Sequence, residues 1–452
     1  MNQGLTIVPP PVVGEALRRL EARGFQAWCV GGCVRDSLLG KAPSDWDIAT
    51  SALPQETKAC FAGERLVEAG AAHGTIAWVP SGGHPIEITT FRSDGAYTDG
   101  RHPDSVAFSR RLEDDLSRRD FTVNAMAWHP QRGLVDLFHG QEDLSAGLLR
   151  CVGEPARRFS EDALRILRCL RFSSQLGFAI HPDTAQALWE KRELLLALSH
   201  ERVREELTKL LCGQGAAAVL RQYAAVVFTV LPELAPMKGC AQETPYHCFD
   251  VWEHTLHAVD YAPQQGDLRW AALLHDAGKP GRKTRSADGV AHFYGHPPES
   301  GRIARQLLTR LRFSNKERDW IAALVDHHED AMPMGEAHLK GLLGRYGERF
   351  VFTLFQLQEA DMSAKAPGVF ARRLPDLEES RALARAILER GDCLTLGDMA
   401  LTGEDLKALG VAPGPEMGKL LRRLLEAVQR GEAANTPAAL GELAKRLLKR
   451  GL

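Results

Sequence analysis

The chain has 452 residues and a formal net charge of −2, which excludes a uniform basic coat for nucleic acid; any RNA site must be a local patch. Hydrophobic content of 44% and charged content of 25% are those of an ordinary globular protein, long enough for three or four structural units. There is no apolar run of about 18 residues and no basic segment leading into an apolar core at the start, which predicts a cytoplasmic protein without a membrane span.

The nine cysteines are scattered without a Cys-x-x-Cys pair and read as reduced, mostly buried thiols. Residues 11–27 have helical spacing, with Val12, Val13, Leu17 and Leu20 as the apolar positions. Residues 27–30 form the first predicted strand. The stretch from Cys29 to Thr50 then holds the densest chemistry. Gly31 and Gly32 separate that strand from a helical segment, 34–39, and let backbone N–H groups come close to a phosphate. Asp45 and Asp47 flank Trp46. On a strand, residues i and i+2 share a face, so the two carboxylates project together and call for a cation. A pair of Mg²⁺ ions about 4 Å apart is the arrangement used for in-line phosphoryl transfer.

Residues 54–61 read as a short helix. Residues 66–67, 75–79 and 86–91 are strands rich in β-branched residues, and 81–84 make the turn between the last two. Glu87 lies on one of these strands, where it reads either as a third metal carboxylate or as a structural strand residue. Residues 92–106 are a polar loop. Beyond about residue 111 strand signals almost vanish and Leu/Ala-rich helical patterns take over. The expected fold class is α+β: a small mixed sheet in a head, followed by an all-helical neck, body and tail.

Two arginine motifs follow. Residues 117–126 place Arg118 and Arg119 at the expected start of an amphipathic helix, and a guanidinium fork suits triphosphate oxygens. Asp162, Arg165, Arg168 and Arg171 recur every three residues and overlap on one side of a helix. Alone, such a row is equally a solvated face.

Three motifs in this order, Gly-Gly-x-Val-Arg-Asp with Asp-x-Asp, Arg-Arg-Asp-Phe-Thr-x-Asn-Ala, and Glu-Asp-x-x-Arg-x-x-Arg-x-x-Arg-Phe, resemble those of the bacterial class II tRNA nucleotidyltransferases. These are the CCA-adding enzymes with a poly(A) polymerase-like head, here of the kind that also carries an HD domain. The resemblance runs from about residue 25 to near the end. It implies a polymerase-β-like head over 1–150, a nucleotide-selecting neck over 151–235, an HD body over 236–370 and a tRNA-binding tail over 371–452. It implies that Asp45 and Asp47 hold Mg²⁺, and that Gly32, Arg35 and Arg119 contact triphosphate and sugar. Asp162 and Arg165 would read the Watson–Crick edge of CTP or ATP, with Arg168 and Arg171 helping to hold the nucleotide. Arg92, Asp94, Tyr97, Asp99 and Arg101 match the flexible loop that accompanies the switch from C to A addition.

His254, His275, Asp276, His296, His327 and Asp361 resemble the HD metal ligands, with His328 as the alternative to His327. A divalent transition metal there would suit either phosphoester hydrolysis or a scaffold. Residues 419–450 carry eight Lys/Arg against three Glu. Lys419, Arg422, Arg423, Lys445 and Arg446 are the candidate RNA contacts. The implied partners are the tRNA 3′ end and acceptor arm with CTP and ATP; no stable protein partner is implied. The implied activity is untemplated addition or repair of the 3′-terminal CCA with release of pyrophosphate. A poly(A) polymerase, a CC-only or A-only transferase, and an HD regulatory protein with a degenerate head are the rivals.

Overall fold

A computed structural model describes residues 7–68, 70–94 and 106–450. The chain divides into two compact units, Met1–Pro232 and Glu233–Leu452.

The first unit opens with α1 (Pro11–Glu21), which buries Val13, Ala16, Leu17 and Leu20 at helical spacing. It is shorter than expected from the sequence, because Gly24 adopts φ +84° and turns the chain. Then come β1 (Ala27–Val30), α2 (Gly32–Leu38), β2 (Asp47–Thr50), α3 (Pro54–Cys60), β3 (Arg65–Val67), β4 (Thr75–Val79) and β5 (Ile86–Thr90). β6 (Arg92–Asp94) and β7 (Val106–Phe108) pair with each other. α4 (Leu112–Ser117) leads to β8 (Met126–His129) and β9 (Gly133–Asp136). The main sheet has the order β3-β4-β5-β2-β1-β8-β9. Only β2 and β5 run parallel in it, in a register that sets Asp47 beside Glu87.

Two expectations from the sequence fail here. Strands do not stop before residue 111, since β8 and β9 complete one edge of the sheet. β8 is four residues long and largely buried on both faces, so it shows no polar–apolar alternation to read. Nor do Arg118 and Arg119 begin a helix: they follow the end of α4, where a helix C-terminus favours cations.

The neck of this unit contains α5 (Gly140–Ser145), β10 (Leu148–Leu149), α6 (Pro155–Glu161), α7 (Leu164–Leu176), β11 (Ala179–Ile180), α8 (Pro182–Lys191), α9 (His200–Leu211), α10 (Ala216–Gln222) and α11 (Ala224–Val230). α7 packs along α9. The close approach at the end of α7 requires glycine: a Cβ on Gly213 would lie 2.1 Å from Ser174 Oγ.

Among the described residues, the second unit is helical apart from the β12 (Thr284–Arg285) and β13 (Ala291–His292) pair. Its body comprises α12 (Val251–Tyr261), α13 (Gly266–Leu274), α14 (Lys279–Arg282), α15 (His296–Arg310), α16 (Asn315–His327), α17 (Glu336–Tyr346), α18 (Glu348–Ser363) and α19 (Val369–Arg390). α12, α13, α16 and α18 pack on one another around Trp252, Trp270, Phe350 and Phe355, all fully buried. The tail has α20 (Gly403–Ala408), α21 (Pro415–Gln429) and α22 (Pro437–Lys449) on a core of its own, including Leu406, Leu420, Leu424 and Leu440. No described helix is long and apolar enough to cross a membrane.

Candidate functional site

A cavity of about 1160 Å³ in the first unit gathers most of the residues singled out in the sequence. From the sheet side come Gly31, Gly32, Arg35, Asp45, Asp47, Glu87, Arg92, Arg119 and Asn124. From the neck come Asp162, Arg165, Arg168, Arg171, Arg202 and Lys209. The cavity therefore has an acidic end on β2 and β5 and a basic wall on α7 and α9.

At the acidic end, Asp47 begins β2 and faces Glu87 across the parallel ladder. Asp45 lies just before the strand, not on it, and its carboxylate accepts a 2.8 Å hydrogen bond from Ser44 Oγ. Burial, with Glu87 next and Asp45 after it, pushes the Asp47 carboxyl up to about 6 in spite of the opposing charge of Arg119. Three carboxylates opening on one cavity form a donor set of hard oxygens, and this excess negative charge fits Mg²⁺. Gly31 adopts φ +77°, a conformation that favours glycine, and Arg119 Nη1 passes 2.8 Å from where a Cβ would sit.

The arginines are held in place by neighbours. Asp115 is fully buried and anchors both Arg118 (2.8 Å) and Arg119 (3.0 Å). Arg35 Nη1 donates to Asn124 Oδ1 at 2.7 Å. Arg165 Nη1 donates to Glu161 Oε2 (2.9 Å) and Arg158 O (3.1 Å), and its Nη2 to Arg118 O (2.9 Å). Asp162 Oδ1 accepts from Leu164 N at 3.0 Å, and Oδ2 lies 3.7 Å from Arg202. Arg168 and Arg171 face the cavity but already have carboxylate partners, Asp120 and Glu206. The Arg35, Arg168 and Arg171 guanidinium groups all lie within 5.4 Å of the Phe172 ring centroid.

A second cluster is buried in the other unit. His254 Nε2, His275 Nε2 and Asp361 Oδ1 form one trio, at separations of 3.0, 3.3 and 3.7 Å. His296 Nε2, His328 Nε2 and Asp276 Oδ1 form the other, at 3.1, 3.3 and 3.6 Å. Every one of these four imidazoles directs Nδ1 at a backbone carbonyl: Ala364, Ala272, Phe293 and Val325 respectively. A carbonyl only accepts, so Nδ1 carries a proton and each ring turns its Nε2 inward, the atom that would ligate a metal. Ring nitrogens and carboxylate oxygens about 3.3 Å apart are spaced for a cation with bonds of about 2.1 Å. Asp276 faces both trios, since its Oδ2 lies 3.3 Å from His275. Neither of its oxygens receives a well-aligned hydrogen bond, although Lys279 Nζ approaches Oδ2 at 2.7 Å. The residues fit divalent cations, with Asp276 placed between the two trios.

Three family models match the chain: the poly A polymerase head domain over residues 27–150, the probable RNA and SrmB-binding site of polymerase A over 177–237, and tRNA nucleotidyltransferase domain 2 over 299–444. The CCA-adding enzyme of Lactobacillus delbrueckii subsp. bulgaricus is 35% identical over 429 residues, which is 94% of this chain and 95% of the relative. That of Limosilactobacillus fermentum is 36% identical over 433 residues, 96% of each chain. The crystal structure of the Bacillus stearothermophilus CCA-adding enzyme in complex with CTP superposes with a TM-score of 0.75 at 31% identity, covering 98% of this chain and 100% of that one. The chain belongs to the CCA-adding enzymes.

Within this CCA-adding enzyme, one expected metal residue is misplaced. His327 does not reach the buried cluster; His328 does. The two are adjacent at the end of α16, and one step along a helix turns a side chain by about 100°. His327 points instead to Asp330, 2.8 Å from its Nδ1. Of the expected loop residues, Arg92 and Asp94 lie on β6, and Arg92 Nη1 donates to His73 O at 2.8 Å. Tyr97, Asp99 and Arg101 lie outside the described residues. In the tail, Lys419, Arg422, Arg423, Lys445 and Arg446 are all exposed on α21 and α22, with Lys419 and Lys445 bridged locally to Glu416 and Glu442.

Asn124, Asp120, Arg202 and Lys209 also line the cavity, and the sequence by itself assigns none of them a role. Asp120 and Asn124 sit in the Arg-Arg-Asp-Phe-Thr-x-Asn-Ala motif, so their types were visible and their positions were not. Arg202 and Lys209 lie seven residues apart, two helical turns on α9, a stripe that is visible only once α9 is known to lie along α7.

Proposed function

We propose that this protein completes or repairs the 3′ end of tRNA by adding C, C and A from CTP and ATP without a nucleic acid template. The observation that carries the reading is the joining of Asp45, Asp47 and Glu87 with Asp162 and Arg165 in one cavity. Asp45 and Asp47, with Glu87 beside them, hold Mg²⁺. When bound, the ion lowers the pKa of the attacking hydroxyl and neutralises charge on the phosphates. Gly32, Arg35 and Arg119 receive the triphosphate and sugar. The tRNA 3′-hydroxyl loses its proton to water as its oxygen forms a bond to the α-phosphorus, the bond from the α-phosphorus to the bridging oxygen breaks, and pyrophosphate leaves.

Base choice falls to Asp162 and Arg165. A carboxylate accepts from the exocyclic amine of C or A, and a guanidinium donates to the ring nitrogen of either. G and U present the reverse pattern on the corresponding edge positions and leave both side chains unpaired. Glu161 and two carbonyls keep the Arg165 fork in one orientation, which favours selection by geometry. Lys419, Arg422, Arg423, Lys445 and Arg446 contact tRNA phosphates. Action on tRNA fits a cytoplasmic enzyme. The labour divides as head 1–150, neck 151–235, body 236–370 and tail 371–452.

The test is extension of a tRNA ending at its discriminator base, with CTP and ATP supplied singly and together. CTP alone should add two nucleotides, and both together three. A ladder of adenosines would instead identify a poly(A) polymerase, a stop at two nucleotides with both supplied a CC-only enzyme, and no extension until a CC end is provided an A-only enzyme. Incorporation surviving in Asp45→Ala would remove the metal assignment.

A second activity is favoured by the twin trios. His254, His275 and Asp361 with Asp276, His296 and His328 hold two divalent transition-metal ions. Such a centre activates water against a phosphoester such as a 2′,3′-cyclic phosphate. Metal-dependent hydrolysis of that ester, lost in His275→Ala while CCA addition persists, is the expected result. Metal bound without hydrolysis would leave the centre a scaffold.

A further inference from the structure

Beside the twin trios lies a third cluster, which neither activity uses. His327, the last residue of α16, Asp330, three residues on, and His338, near the start of α17, converge on one point. Asp330 Oδ2 lies 2.8 Å from His327 Nδ1 and 2.7 Å from His338 Nε2. All three donor atoms fall within 4.8 Å of one another. We propose that His327, Asp330 and His338 are the ligands of a third divalent-cation site, separate from the buried pair.

The surroundings build the site. Gln358 Nε2 donates to the Asp330 carbonyl at 3.2 Å and fixes the segment between α16 and α17. The His327 ring is wedged edge-on against Tyr346 and Phe350, with centroids 5.7 and 6.2 Å away, which restricts its rotation. The adjacent His328 is committed to the buried trio, so the backbone at this helix end is held from the other side as well. Two imidazoles and one carboxylate form a borderline donor set, suited to Zn²⁺ or Co²⁺ over Mg²⁺.

Three protein ligands leave a coordination position open. His327 and His338 line a cavity of about 440 Å³, whose wall also carries Arg345, Arg430 and one carboxylate, Glu426. The two guanidinium groups outnumber that carboxylate and favour an anionic outer ligand, of which inorganic phosphate is the simplest. The alternative is a metal-free cluster in which both rings merely donate to the carboxylate.

The test is equilibrium dialysis of the full chain against Co²⁺, with metal analysis and the visible absorption spectrum. His338→Ala and Asp330→Asn are compared with the unsubstituted protein and with His328→Ala, each checked for an unchanged melting temperature in chelator. Both variants at this site should lose one equivalent of Co²⁺ and part of the visible absorption. His328→Ala should retain that same component and lose a different one, so failure of the buried centre is distinguishable from failure of this site. Added inorganic phosphate should shift the component that His338→Ala removes. Equal stoichiometry and identical spectra in His338→Ala, Asp330→Asn and the unsubstituted protein would leave only the hydrogen-bonded cluster and overturn the proposal.

Discussion

Arg168 places both Nε and Nη2 on a single oxygen of Asp120, at 2.8 and 2.6 Å. Asp120 belongs to the segment after α4, and Arg168 lies in the middle of α7, so the pair fastens the sheet side of the cavity to its neck side. The other Asp120 oxygen accepts from Phe121 N (2.9 Å) and Asn124 Nδ2 (3.2 Å). Asn124 in turn accepts from Arg35. Arg168→Ala should cost about 2–3 kcal/mol, somewhat below the usual cost of breaking a buried pair, because 34% of the Arg168 side chain meets solvent. The shift of the first unfolding transition in urea measures it. An unshifted transition would mean that the pair contributes nothing to joining head and neck.

Acid should act through the same carboxyl. Burial alone would raise the Asp120 pKa, but Arg168, Asn124 and the Phe121 N–H outweigh it and hold the group at about 2. A depressed folded-state pKa gives stability that is complete above the unfolded value, near 3.9, and is lost as pH falls through the folded one. The window is therefore about pH 4 down to 2, and the amount is on the order of 2–3 kcal/mol. Asp120→Asn should be less stable at pH 7 yet lose less stability over that window, as read from denaturant midpoints at a series of pH values.

Arg165 is oriented by Glu161, whose Oε2 it meets at 2.9 Å and which also takes Arg158 at 2.7 Å. Glu161→Gln keeps the shape of the side chain but removes the charge that fixes the fork. Discrimination of CTP against UTP should fall about tenfold, because an arginine free to swing pairs less selectively. The readout is the ratio of kcat/KM for the two nucleotides on a tRNA lacking its CCA. An unchanged ratio, with both rates lowered together, would mean that Glu161 holds the helix and not the selection.

Much of the acidic end was legible because its chemistry is local. Asp45 and Asp47 are two residues apart, on either side of Trp46. Arg165 and Asp162 were legible as types at a spacing. What a linear pattern does not encode is who already holds whom. Arg168 and Arg171 look equivalent to Arg165 in the row, yet Asp120 and Glu206 engage them from elements 48 and 35 residues away in sequence. β8 and β9 were missed for a different reason: burial on both faces erases alternation, and tertiary pairing with β1 decides the conformation. Asp45 and Asp47 share the cavity although Asp45 is off the strand, so strand alternation alone does not account for their coming together.

Glu87 sits beside Asp47 in the β2–β5 register, and both line the cavity. Neutralising it in Glu87→Gln removes one negative charge from the expected Mg²⁺ position while the strand pairing stays intact. The Mg²⁺ concentration for half-maximal incorporation should rise several-fold, with the nucleotide KM little changed. If the Mg²⁺ dependence stays the same while the protein melts at a lower temperature, Glu87 is a strand residue and no more.

His328 and His327 are neighbours in sequence with different fates, and metal content separates them. His328 Nε2 lies 3.3 Å from His296 Nε2 and 3.6 Å from Asp276 Oδ1, inside the buried cluster. His327 faces Asp330 and the smaller cavity. His328→Ala removes one of three donors from its trio and should weaken metal binding there by at least about tenfold. His327→Ala leaves all six buried ligands in place, so the buried pair should keep its affinity. Binding of metal only to the native state stabilises it by mass action, so chelation should lower the melting temperature of the unsubstituted protein and of His327→Ala more than that of His328→Ala. If instead His327→Ala abolished the chelator-dependent shift and His328→Ala preserved it, the ligand at this helix end would be His327, and the buried trio built on His328 would be wrong.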